Sequence, residues 1–161
     1  MKVLQNNESY SLISGDIKII NDIPLGIYDI LQNPMSLQFS LQKRDYDTFT
    51  LPNKIYGVSN KIIDKVINKY KIVKDKNLGV LFAGCKGTGK SLAAKKICNE
   101  IKLPIIVLKS IPDEGDLIGF LTTIPQPYAI FIDEFEKIVT KEEQVSFLSL
   151  LDGSTTSNIL F

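Results

Sequence analysis

Eight residues near the middle of the chain, Gly84-Cys85-Lys86-Gly87-Thr88-Gly89-Lys90-Ser91, constrain its fold more than any other stretch. They match the spacing G-x-x-x-x-G-K-[ST] and stand between the apolar run LGVLFA, which reads as a strand, and LAAKKICNEI, which reads as a helix. A strand that feeds a glycine-rich turn opening directly into a helix is one unit of a layered α/β fold. The glycines let the backbone turn tightly, so that successive N–H groups point inward at a helix N-terminus and hold an anion. Lys90 adds a point charge for the outer phosphates of a nucleotide, and Ser91 a hydroxyl for Mg²⁺. A bare glycine turn with an exposed lysine would not explain the two flanks.

The same order of strand and helix continues beyond the loop. PIIVLK (104–109) and YAIFID (128–133) read as strands, with helices predicted from about Gly89 to Ile101, near 116–123 and about 141–151. Thr140 and Glu143 form a T-x-x-E capping box for the last of these, and Asp152-Gly153 a stop. Apolar strands alternating with helices indicate a parallel sheet covered on both faces. Upstream, Ser59 can cap a helix with Ile62, Ile63, Val66, Ile67 and Tyr70 on one face and lysines on the other. From Tyr10 to Leu51 the text is short β-like pieces: YSLIS, DIKII, GIYDIL and MSLQFSLQ, with Leu37, Phe39 and Leu41 alternating against polar residues. The expected organisation is a small β-rich region over 1–53 followed by an α/β core over 54–161.

The strand YAIFID ends in Asp133 and Glu134. Leaving a buried strand at two adjacent carboxylates is costly unless a cation or a solvated site receives them. Asp133 is placed to reach Mg²⁺ directly or through water, and Glu134 to orient or deprotonate a water attacking the γ-phosphate. The plainer alternative is that both acids simply favour the start of the next helix.

Composition removes other chemistries. The 161 residues contain no histidine, which excludes Ser-His and Cys-His nucleophiles and histidine metal sites. Arg44 is the sole arginine, and Cys85 and Cys98 are too far apart along the predicted helix for a disulfide. The net charge of +1 argues against a mainly electrostatic grip on nucleic acid or an anionic membrane. Locally, seven lysines against Asp64 and Asp75 give residues 54–76 a charge of +5, while residues 113–152 carry −7, nine acids against Lys137 and Lys141. Solvated faces are the simpler reading of both. Reduced thiols and the absence of an apolar leader or an 18-residue apolar run place the chain in the cytoplasm, away from membranes.

With the loop and the Asp133-Glu134 pair in place, the chain resembles the ATPase domain of the AAA+ superfamily over roughly residues 54–161. The resemblance implies ATP and Mg²⁺ as cofactors, residues 84–91 as the phosphate site, Ser91 and Asp133 at the metal, and Lys90 and Glu134 in catalysis. Ile55-Tyr56-Gly57 is similar to the family's adenine-contacting segment. Leu117-Ile118-Gly119 falls where the family often has a pore loop, with leucine in the aromatic place, so a plain helix start competes. The family's strand order 5-1-4-3-2 would set a strand beginning at Ile159 to Phe161 between LGVLFA and AIFID. Its sensor 1, arginine finger, sensor 2 and lid belong beyond Phe161, so that the chain reads as the front of a longer ATPase, and Arg44 does not take the finger's role. A homo-oligomeric ring, such as a hexamer, and a remodelled partner are also implied, with protein ranked ahead of nucleic acid. A helicase-loader ATPase and a nucleotide-responsive scaffold without turnover are the alternatives. A P-loop kinase or GTPase shares the loop, but the chain has no N-K-x-D motif.

Overall fold

The computed structural model describes residues 2–6, 9–13, 15–16, 18–53, 59–73, 76–111, 116–140 and 159–160. Strands β1 (Lys2–Asn6) and β2 (Ser9–Ile13) form an antiparallel ribbon of their own. The main sheet takes β3 (Ile27–Gln32), β4 (Phe39–Lys43), β5 (Ile105–Leu108), β6 (Tyr128–Ile132) and β7 (Ile159–Leu160), in the order β4-β3-β5-β6-β7. β3, β5, β6 and β7 run parallel, and β4 closes one edge antiparallel to β3. β1 lies ahead of the stretch read as β-like.

The sheet separates two cores. Along β5, Ile105 and Val107 face one cluster and Ile106 and Leu108 the other; along β6, Ala129 and Phe131 oppose Tyr128 and Ile130. Burial on both faces is why these strands read as unbroken apolar runs. Helices α1 (Asn60–Ile72) and α2 (Lys90–Ile101) cover the first face through Ile63, Ile67, Tyr70, Ile97 and Cys98. Each of the three isoleucines contributes about 1.5–3 kcal/mol. Helices α3 (Leu117–Thr122) and α4 (Phe135–Ile138) cover the second through Leu117, Leu121 and neighbouring apolar residues. The hydroxyl of fully buried Tyr128 donates to the Leu121 carbonyl at 2.8 Å, and burial raises its pKa. Among the described residues no helix is long and apolar enough to cross a membrane.

The β-rich stretch is bound into this sheet, with Ile27 opposite Ile105 and Asp29 opposite Val107. Two side-chain amides fasten its ends. Asn99 accepts from the Phe49 N–H and donates to the Phe49 carbonyl, both at 2.9 Å, and Gln126 does the same for Ile23. Phe49 then packs on Phe131, with ring centroids 4.9 Å apart.

Several expectations need correction. Residues 79–83 of LGVLFA join no strand ladder, although Leu78, Val80 and Phe82 pack inward on the first core. Their alternation is that of a strand, and β6 is flanked by β5 and β7, so that LGVLFA does not pair directly with AIFID, as expected. β7 lies beside β6 as the implied order requires, with Tyr128 opposite Ile159. DIKII forms no strand among its described residues, and Ile19 is 90% exposed and Ile20 52%. Leu37 sits in a turn at φ 55°, because Asn33 Oδ1 accepts from the N–H groups of Met35 and Ser36 and ends the run before Phe39. Ile62 is 48% exposed, off the buried stripe of α1. The predicted helix at 141–151, with its capping box and stop, lies outside the described residues.

Candidate functional site

The loop 84–91 enters α2 through glycine geometry. Gly87 and Gly89 have φ of 84° and 83°, the left-handed region that side chains disfavour, and Gly89 is the N-cap of α2. Thr88 Oγ1 donates to the Cys85 carbonyl at 2.9 Å, tying the turn across itself. The Lys90 ammonium folds back and donates to the carbonyls of Gly84 and Cys85, each at 2.8 Å, which fixes its charge at the loop. Lys86 is exposed at the tip.

The second half arrives from β6. Ser91 Oγ donates to Asp133 Oδ1 at 2.7 Å, joining residues 42 apart in sequence. Glu134 follows in the left-handed region, at φ 56° and ψ 51°, a conformation that costs a non-glycine residue about 1–3 kcal/mol. It is the N-cap of α4 and makes no side-chain capping bond. Its carboxylate instead pairs with Lys137 at 2.8 Å, which raises the Lys137 pKa. Beside these acids opens a cavity of about 330 Å³, at the C-terminal ends of β5 and β6, whose lining includes Lys109, Asp133, Glu134, Lys137, Val107 and Phe131. Open parallel sheets take ligands at this end of their strands.

The structure therefore brings Gly84, Cys85, Lys86, Gly87, Thr88, Gly89, Lys90 and Ser91 together with Asp133, and sets Glu134 next to them. Tyr56 and Gly57 lie outside the described residues. Leu117, Ile118 and Gly119 form the first turn of α3, where Asp116 Oδ1 accepts from the Gly119 N–H at 2.6 Å and leaves no room for a side chain on Gly119. Cys85 is exposed and Cys98 buried, both as free thiols, and burial pushes the Cys98 thiol up to about 12.

Sequence reasoning passed over one cluster. Arg44 donates through Nε to Asp29 Oδ2 at 2.7 Å and through Nη2 to Oδ1 at 2.6 Å, while Lys109 reaches Oδ1 at 3.0 Å. These two cations hold the Asp29 carboxyl down at about 2. The signal available was the solitary arginine, but its acidic partner is fixed only by the pairing of β3 with β4 and β5.

The family model for ATPases associated with various cellular activities matches residues 80–161. A 26S proteasome regulatory subunit homolog from Methanothermobacter thermautotrophicus is 31% identical over 106 residues, covering 56% of this chain and 28% of that protein. The Holliday junction branch migration complex subunit RuvB of Fusobacterium nucleatum is 26% identical over 128 residues, covering 76% of this chain and 36% of that protein. The chain thus spans roughly a third of the length of these relatives. No solved structure gives a significant match. The loop, the strand carrying Asp133 and Glu134 and the family match together identify the chain as a member of the AAA family of ATPases.

Proposed function

We propose that residues 84–91 bind the phosphates of ATP and that the complete protein hydrolyses it. The observation that carries this reading is the 2.7 Å bond from Ser91 to Asp133, because it unites the two halves of a phosphate and metal site. Ser91 and Asp133 offer hard oxygen donors, which suit Mg²⁺ when phosphate oxygens and waters complete its shell. Bound there, Mg²⁺ would neutralise charge on the phosphates. Lys90 stabilises charge spreading over the transferred phosphoryl group, and Glu134 orients or deprotonates the attacking water. Tyr56 and Gly57 are proposed for the adenine on resemblance alone, within an ATPase core over 54–161 preceded by the β-rich region.

The energy would drive remodelling of a partner by a homo-oligomeric ring in the cytoplasm. The relatives' names divide between a proteasome subunit and a Holliday junction complex, so both protein and nucleoprotein partners have support. Protein remains the preferred class, given the net charge of +1. A nucleotide-binding scaffold without turnover is the second reading, favoured by the ion pair that occupies Glu134. Measuring phosphate release separately from binding decides between them. In the complete protein Glu134→Gln should leave ATP affinity within about twofold and lower turnover about 100-fold or more. Undetectable turnover in the unaltered complete protein favours the scaffold, and unchanged turnover in the variant assigns the water to another group.

A further inference from the structure

Lys109 lies one residue beyond β5, and its side chain is 69% exposed. It borders two hollows. One is the cavity with Asp133 and Glu134; the other, of about 260 Å³, contains Asp29, Gln42 and Ser110. Its present partner is already satisfied, since both oxygens of Asp29 accept from Arg44. The Lys109 ammonium is thus an additional and more exposed contact on Asp29 Oδ1, and exposed ion pairs of this kind are weakly held. In the first cavity, by contrast, Lys137 is committed to Glu134. A terminal phosphate extending past Ser91 and Asp133 would meet two carboxylates there, and Lys109 is the lining cation whose partner carboxylate lies outside that cavity.

Building on the nucleotide reading above, we propose that Lys109 is a binding residue for the terminal phosphate of a nucleoside triphosphate. Its flexible four-carbon stem lets the ammonium exchange Asp29 for that phosphate. The β3–β4 hairpin, which carries Asp29 and is followed by Arg44, then competes with the nucleotide for one cation. Through that competition the β-rich region senses whether a triphosphate or a diphosphate is bound.

The test is calorimetric titration of the 161-residue chain with Mg²⁺ and either ADP or the non-hydrolysable adenylyl imidodiphosphate. Lys109→Met should reduce the preference for the triphosphate analogue about tenfold, the loss of one charge-assisted contact, with ADP affinity unchanged. Lys109→Arg should restore it. Asp29→Asn, which releases the ammonium, should move the preference the opposite way; a packing defect would not give opposite signs at the two positions. If Asp29→Asn fails to fold, the Lys109 pair still decides. An unchanged preference in Lys109→Met, with both nucleotides bound, overturns this proposal alone. Binding of neither nucleotide by the unaltered chain overturns the nucleotide reading and this proposal with it.

Discussion

LGVLFA and YAIFI are interchangeable as text: each is a short apolar run leading into half of the site. In the fold they part company. β6 is enclosed by β5 and β7 and buried on both faces, with Ala129 0% exposed, whereas residues 79–83 join no ladder and Leu81 is 79% exposed. What makes a strand of an apolar run is the neighbour that takes its N–H and C=O groups, and sequence reports that neighbour only indirectly.

A buried charge should separate the two runs most widely. Ala129→Asp should unfold the chain or destabilise it by more than about 4 kcal/mol, because an unpaired carboxylate would sit in the first core. Leu81→Asp should change stability by no more than about 0.5 kcal/mol. Urea denaturation followed by circular dichroism gives both values, and equal effects would show that the Leu81 side chain is buried as Ala129 is.

The opposite flank of the sheet, where β3 gives β5 a partner, should be held in part by the Asp29–Arg44 pair. Asp29 titrates near 2 in the fold, below its ordinary value of 3.8, so its contribution of about 2 kcal/mol is present above pH 4 and lost as the pH falls towards 2. Asp29→Asn should cost about that much at pH 7, or more if Arg44 is left without an acceptor. It should also flatten the acid limb of the stability curve. An unaltered acid limb would remove this pair from the account of the sheet edge.

A smaller effect compares the chemistry that follows LGVLFA with that of the helix packed near it. Exposed Cys85 should react with a maleimide in the native chain, while buried Cys98, its thiol at about 12, should react only on unfolding. Mass spectrometry should count one adduct before denaturant and two after. Mg²⁺-ATP should slow the Cys85 adduct if phosphate lies in the loop.

Much of this was legible in advance where local chemistry decides. Gly89 and Lys90 fix the loop-to-helix junction within one residue, and β5 and β6 declare themselves because burial on both faces demands uninterrupted apolar residues. The sequence assigns Ser91 and Asp133 to a common ion but says nothing of the 2.7 Å bond between them. The illegible parts depend on distant pairing. Asp29, Arg44 and Lys109 meet only because β3 lies between β4 and β5, and no local pattern encodes that order. DIKII has strand propensity in Ile19 and Ile20, yet both side chains are exposed and its described residues join no strand. Leu37 extends an alternating run that the Asn33 side chain interrupts.

Whether the loop and Asp133 form one nucleotide site is decided by calorimetry of Mg²⁺-ATP with the unaltered chain and with Lys90→Ala. Binding to the unaltered chain at one site is expected, with a loss of about 100-fold or more in the variant, which lacks the ammonium now bonded to the Gly84 and Cys85 carbonyls. Equal affinity in the two proteins would contradict a shared site.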